Sequence, residues 1–366
     1  MSRPLRIVHG ADFHLDAPFA ALPPEKAVQR RGEQRQLLHR LATLVNRSQA
    51  DLVLLSGDLF DGGELYGETL DALVQALSAM NAQVFLAPGN HDYWTPHSVY
   101  ARHWPSHVHI FTEPEIERVN LPELGCSVYG SAFTGPSRED RALQGFRVPD
   151  DGKLHLMVLH GDVAAESRYG PVPPEDLAES GLDYVALGHV HTCSGLQRAG
   201  NTFWAYPGCP EGRGFDETGD KGVLCGVVEP GRAEMTFVPL CQRRYLVREV
   251  DITGSDPAQA LAAALPAEKS PDFCRIFLTG ERGEAPLDLA ALTALAAPRY
   301  ETVSLRDRTR LRRALWDRAE ENTLTGLFLR EMRRRLDAAA TEEERERVEL
   351  AVRFGLAALE HREDPL

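Results

Sequence analysis

The stretch Asp51-Leu52-Val53-Leu54-Leu55-Ser56-Gly57-Asp58 decides the fold. An apolar run with no polar alternation reads as a parallel strand buried on both faces. Here the run stops abruptly at a glycine and an acid. Four other segments share this design. Leu5 to Ala11 leads into Asp12-Phe13-His14, and Gln83 to Ala87 leads into Gly89-Asn90-His91-Asp92. Leu154 to Leu159 leads into His160-Gly161, and Asp183 to Leu187 into Gly188-His189-Val190-His191. Each puts metal-ligating side chains at the mouth of a strand. One such residue is commonplace. Seven candidates in chain order (Asp12, His14, Asp58, Asn90, His160, His189 and His191) point to a two-metal hydrolase of phosphate esters.

Working outward, Glu25 to Ser48 reads as a polar, leucine-bearing helix and Tyr66 to Ala79 as an amphipathic one. Strands joined by helical crossovers give a parallel sheet. From about 106 to 240 the pattern becomes mainly β. Further strands are expected at Glu117-Leu121, Ser127-Phe133, Thr202-Ala205, Gly222-Val228 and Ala233-Pro239, with Gly200-Asn201 turning a hairpin. Two such halves predict an α/β layered sandwich of two mixed β-sheets flanked by helices. Strands at Leu246 to Ile252, Asp272 to Leu278 and Tyr300 to Leu305, with helices at Ala258 to Leu265 and Leu287 to Leu295, predict a small αβ cap module. Two helices, Arg310 to Ala340 and Thr341 to Glu360, should follow, the second opened by the capping-box pair Thr341 and Glu344. The expected organisation is a catalytic domain over 1–243, a cap over 244–308 and a helical tail over 309–366. Arg333-Arg334-Arg335 reads either as a solvated helix face or as a docking site for DNA or a partner coil.

The 366 residues are 43% hydrophobic and 26% charged, which fits a folded globular chain throughout. Six scattered cysteines with no C-x-x-C pair disfavour disulfides and zinc knuckles and fit a reducing cytosol. No apolar run is long enough to span a bilayer, and Met1-Ser2-Arg3-Pro4 passes straight into a strand without a signal peptide. A cytoplasmic protein is expected. The net charge of −14 opposes a stand-alone DNA binder, which usually shows a basic surface. Bound metal, segregated charge or a partner protein would each offset it.

The ligand set has divided tasks. Two cations about 3.5–4 Å apart need a shared anion, and Asp58 is the candidate bridge. Asp12 and His14, two apart, would face the same way along a strand, and His189 and His191 could serve one metal each. Asn90 offers a neutral oxygen. With nitrogen and oxygen donors but no thiolate, Mn, Fe, Zn or Mg all fit. His91 is free to donate a proton or hydrogen bond to the scissile phosphate, with Asp92 orienting it from behind. The loop Tyr206 to Gly214 carries Arg213, which could meet a phosphate bidentately; a plain structural turn is the competing reading. Cys193 and the remaining histidines (His9, His39, His97, His103, His107, His109, His155 and His361) are assigned to structure or surface.

These segments resemble the calcineurin-like metallophosphoesterase superfamily over about residues 5 to 240. Gly57-Asp58-Leu59-Phe60-Asp61, Gly89-Asn90-His91-Asp92 and the Pro207-to-Arg213 loop more narrowly resemble the SbcD/YhaO-like DNA repair exonucleases. Protein phosphatases carry an arginine-bearing segment where Asp61-Gly62-Gly63-Glu64 stands. The resemblance implies one metal held by Asp12, His14, Asp58 and His191, the other by Asp58, Asn90, His160 and His189, with His91 as the transition-state group. It further implies manganese, DNA as substrate and a coiled-coil ABC-type ATPase like SbcC as partner. A homodimer is also implied, though no unbroken heptad seam predicts one. Some relatives carry an exonuclease-assisting histidine where Asp61 stands, which separates phosphodiester cleavage from processive digestion. The readings to weigh are a DNA nuclease, a phosphodiesterase or phosphatase of small esters, and a non-catalytic DNA-end tether.

Overall fold

The central strands of the first half are buried on both faces, and successive side chains alternate between two core clusters, which sets the layers. The computed structural model describes residues 3–62, 65–283, 285–311 and 313–359 and divides into two units, Met1–Arg244 and Tyr245–Leu366. The first unit runs β1 (Leu5–Gly10), α1 (Pro24–Arg47), β2 (Leu52–Leu55), α2 (Gly67–Ser78), β3 (Gln83–Leu86), β4 (Val108–Ile110), β5 (Glu117–Leu121), β6 (Cys126–Gly130), β7 (Leu154–His160), α3 (Pro174–Ser180), β8 (Tyr184–Gly188), β9 (Gln197–Ala199), β10 (Thr202–Ala205), β11 (Gly222–Glu229) and β12 (Arg232–Pro239). One six-stranded sheet has the order β12-β11-β1-β2-β3-β4, with β1 to β4 parallel and β11 and β12 antiparallel. The other has the order β5-β6-β7-β8-β10-β9, parallel within and antiparallel at both edges.

The sheets pack face to face. Leu5, Ile7, Leu52, Leu54 and Phe85 meet Val128, Leu156, Val158, Tyr184 and Ala186 between them. The alternate residues point outward: Val8, Val53, Leu55 and Val84 pack on Leu37, Leu41 and Leu73 of α1 and α2. Met157, Leu159, Val185 and Leu187 pack with Leu177 of α3 on the far side. The fold is thus two mixed sheets flanked by helices, as expected from the sequence. Gly200-Asn201 turns the β9–β10 hairpin, with Thr202 opposite Ala199. β4 and α3 had no counterpart in the sequence reading, being too short to show a period.

The second unit comprises β13 (Tyr245–Asp251), α4 (Pro257–Ala264), β14 (Phe273–Thr279), β15 (Glu281–Arg282), α5 (Leu289–Ala296), β16 (Thr302–Asp307), β17 (Arg310–Leu311), α6 (Arg313–Asp317), α7 (Leu324–Ala338) and α8 (Glu342–Leu359). β13, β14 and β16 form a parallel sheet whose buried face, with Ile276 and Leu278, meets Leu261 and Leu292 of α4 and α5. The expected single helix from Arg310 to Ala340 is corrected. Arg310 and Leu311 pair with β15, and a fresh helix starts at Thr323, whose hydroxyl caps the Gly326 amide at 3.0 Å. The Thr341–Glu344 capping box forms in both directions. Arg334 and Arg335 both pair with Glu331 on the exposed face of α7. Gly63, Glu64, Glu360 and His361 lie outside the described residues. Among the described residues, no helix is long and apolar enough to cross a membrane.

Candidate metal centre

The parallel strands deliver every candidate ligand to one end of the sandwich, at their carboxyl edges, where open α/β sheets bind ligands. The chain does not stay pleated there. Asp12, His14 and Asp58 adopt φ of +55°, +43° and +50°, and His189 has φ +109°. Such conformations cost about 1–3 kcal/mol each for residues other than glycine. The first three are held by pairing between the loops after β1 and β2, where the amides of Asp12, His14 and Leu15 donate to Gly57 O, Asp58 O and Leu59 O. The His189 amide donates to the Asp12 carboxylate at 3.0 Å. This corrects the expectation that Asp12 and His14 share one face of a strand. β1 ends at Gly10, and the loop pairing, not the pleat, sets their directions. Close approach also demands glycine: a Cβ on Gly89 would lie 2.2 Å from Asp58 Oδ1.

The result is a buried floor with an open rim. Asp12, His14, Asp58 and His160 are buried, Asn90, His189 and His191 are half-buried, and His91 is exposed. Ligand atoms of Asp12, His14 and His191 converge, as do those of His14, Asp58 and His91, and those of Asp12, Asp58 and His160. Asp58 Oδ2 stands between two imidazoles, 3.8 Å from His14 Nε2 and 3.5 Å from His160 Nε2. The His189 ring lies 5.3 Å from that of His160.

Tautomers give a test of whether a cation belongs here. His14 Nδ1 lies 2.8 Å from Asp61 Oδ1, and His191 Nδ1 lies 2.7 Å from Glu217 Oε1. An oxygen that can only accept forces each Nδ1 to carry the proton. Both Nε2 lone pairs are then left facing each other at 3.1 Å. His160 repeats this: Nδ1 donates to Ser56 O at 2.9 Å, and Nε2 faces the Asn90 oxygen at 3.0 Å. Opposed acceptors are satisfied by a cation between them. Electrostatics agree. Burial and neighbouring Asp58 push the Asp12 carboxyl well above its usual range, so the pocket lacks positive charge. Burial also holds His160 and His189 near 4, leaving both imidazoles neutral and able to ligate. The residues fit a pair of divalent ions.

Two expectations are corrected. Asp92 does not stand behind His91. Its carboxylate accepts the amides of Asp58, Leu59, Phe60 and Gly89 and the Tyr100 hydroxyl, which fills its acceptor sites. Asp92 therefore ties the loop after β2 to the loop after β3. His91 instead has its amide on Asp58 Oδ1 at 2.9 Å and its Nδ1 3.3 Å from Asp61 O. Arg213 lies in the expected loop, but its fork is already taken. Nη1 donates to Asp61 Oδ1 and Nη2 to Glu217 Oε1, both at 2.9 Å, so it is not set for a bidentate grip on phosphate.

Sequence reasoning missed Glu217 and gave Asp61 no partner. An acid four residues beyond Arg213 in the same glycine-rich loop was the only available signal for Glu217. It also missed α1 as a scaffold. Gln34 donates to His14 O, and buried Arg30 joins Glu33 to Glu211 and Gly212 O of the Arg213 loop.

Comparison with known proteins agrees with this geometry. A family model described as calcineurin-like phosphoesterase matches residues 5–193. The chain is 31% identical over 274 residues to the uncharacterized metallophosphoesterase YhaO of Bacillus subtilis, covering 70% of this chain but 65% of that protein, just under two thirds. It is 24% identical over 276 residues to the SbcD component of the nuclease SbcCD of Staphylococcus epidermidis, covering 66% and 71%. It is 22% identical over 257 residues to a probable exonuclease subunit 1 of Escherichia phage T5, covering 69% and 74%.

Proposed function

The chain belongs to the calcineurin-like phosphoesterase family, and we propose that within it the protein is a two-metal DNA nuclease acting in repair. The observation that carries the reading is the pair of imidazole lone pairs opposed at 3.1 Å over a floor of buried carboxylates. One ion would be held by Asp12, His14, Asp58 and His191, the other by Asp58, Asn90, His160 and His189, with Asp58 shared. Divalent ions so bound supply positive charge to a phosphate and lower the pKa of water; manganese is the expected metal.

The chain's own residues do the rest. Buried Asp12 and Asp58 exclude bulk water from the floor. His91 stands on the open rim with its backbone fixed by Asp58, so its ring alone can meet a substrate from solvent. With Nδ1 taken up by Asp61 O at 3.3 Å, Nε2 is the ring nitrogen left to donate to the leaving oxygen.

DNA as substrate is supported by the names of two relatives, a nuclease component and a probable exonuclease subunit. The first belongs to a two-part SbcCD assembly, which supports a coiled-coil SbcC-like ATPase as partner here. Six unpaired cysteines support a reducing, cytoplasmic setting. The net charge of −14 favours the second reading, a phosphodiesterase or phosphatase of small esters.

End-labelled linear DNA with Mn²⁺ separates the two when a generic phosphodiester dye is run alongside. The nuclease reading expects wild type to shorten the DNA and His91→Ala to leave it whole while still binding metal and DNA. Normal cutting by that variant would refute the role of His91. Dye hydrolysis with DNA intact, even after adding the ATPase, would favour the small ester. Unchanged repair in cells carrying His91→Ala would favour a tether.

A further inference from the structure

The two proposed ion positions are not supported alike. On one side His160 is oriented by a neutral backbone carbonyl, Ser56 O, at 2.9 Å. On the other, His14 and His191 are oriented by ionised carboxylates from separate loops. Asp61 comes from the segment after β2 and Glu217 from the segment before β11. Two partly buried anions next to each other repel unless a cation joins them, and the cation present is Arg213.

Its guanidinium donates Nη1 to Asp61 Oδ1 and Nη2 to Glu217 Oε1, both at 2.9 Å, and its own amide donates to Glu217 Oε2 at 2.7 Å. Nη2 and His191 Nδ1 both donate to Glu217 Oε1, which brings these two nitrogens to 3.2 Å. The side chains are little exposed: 24% for Arg213, 19% for Asp61 and 6% for Glu217. Solvent therefore screens these contacts less than it would a surface pair. A planar fork can reach two carboxylates at fixed spacing, which a point charge cannot.

We propose that Arg213 is a positioning residue that clamps Asp61 to Glu217, and through them sets His14 and His191 for one of the two ions. This rests on the two-metal reading above. The clamp touches the carboxylates behind His14 and His191 and leaves Ser56 O, behind His160, untouched. It thus acts on one ion position and not the other. The Arg213 amide remains after any side-chain substitution and still holds Glu217 Oε2, so removing the fork weakens that position without abolishing it. Outer-shell partners of ligating imidazoles typically change metal affinity by about 10- to 100-fold.

The test is calorimetric titration of the metal-free full chain with Mn²⁺, for wild type, Arg213→Met, Arg213→Lys and Glu217→Gln. Wild type is expected to bind in two phases. Arg213→Met should weaken one phase by about 10- to 100-fold and leave the other in place. Arg213→Lys should fall between them, because one ammonium engages one carboxylate at a time. Glu217→Gln should move the same phase in the same direction. Circular dichroism and the metal-free unfolding midpoint check the fold, and if the methionine variant fails to fold, the other two carry the same criterion. Two unchanged phases with a raised KM would overturn the clamp in favour of a phosphate grip and leave the two-metal reading standing. Equal weakening of both phases would overturn it in favour of general loosening. A wild type that binds no Mn²⁺ would overturn the clamp and the two-metal reading together.

Discussion

Replacing Asp92 by Asn changes one atom at the tie between the loops after β2 and β3. Oδ1 accepts the amides of Asp58 and Gly89, at 3.2 and 2.7 Å. Oδ2 accepts Leu59 N at 2.7 Å, Phe60 N at 3.2 Å and the Tyr100 hydroxyl. An asparagine keeps one oxygen. In its better orientation the new NH₂ replaces Oδ1 and strands two buried amide donors, each at about 1–3 kcal/mol. The expected loss is about 4 kcal/mol, a large share of the roughly 5–15 kcal/mol that holds a domain together. Urea unfolding of metal-free wild type and variant, compared at equal m, measures it. Burial and Asp58 both push the Asp92 carboxyl upward, against the five donors that favour its charge. A loss below about 1 kcal/mol would mean that the acid is carried protonated, since asparagine mimics that form, and the charged-tie argument would fail.

Other outcomes follow from the same geometry. Asp58→Ala should abolish binding of both ions, as measured by metal analysis of the dialysed protein; one retained ion would sink its bridging role. Chelation should lower the unfolding midpoint, and restoring Mn²⁺ to 100 times its Kd should return about 2.7 kcal/mol; a midpoint indifferent to metal would contradict a native-state site. Buried His9 donates to Leu187 O and accepts from Tyr184 Oη, and burial holds it at about 3. The unfolded chain therefore takes up this proton first, so the His9 contribution is present above about pH 6.5 and is lost as pH falls toward 3, by up to about 1.4 kcal/mol per pH unit. His9→Gln should flatten that slope, and parallel curves for variant and wild type would refute the assignment.

What could be read from sequence was whatever a single strand announces by itself. Leu52–Leu55, Leu154–His160 and Tyr184–Gly188 are buried on both faces, and uninterrupted apolar runs say so. Each run ends in its ligand, so the cluster was legible without any tertiary knowledge. The contacts behind the ligands were not. Asp61 and Arg213 lie 152 positions apart and meet because two loops cross, which no local pattern encodes. Asp92 looked like a helper of the adjacent His91, because adjacency is all that a sequence offers; the fold turned its carboxylate toward four amides and Tyr100 instead. The break after Leu311 was hidden for a similar reason, because β17 exists only through its pairing with Glu281 and Arg282.

The opposed imidazoles of His14 and His191 come from residues 177 positions apart. An ion gripping both would close that length of chain into a ring. By the loop-entropy relation for a covalent cross-link, such a closure restricts the unfolded chain by about 5 kcal/mol. The six cysteines are all free, so no disulfide staples this sandwich. The metal would serve as its removable staple, and the supply of metal to the cell would govern how long the protein survives its proteases as well as how fast it works.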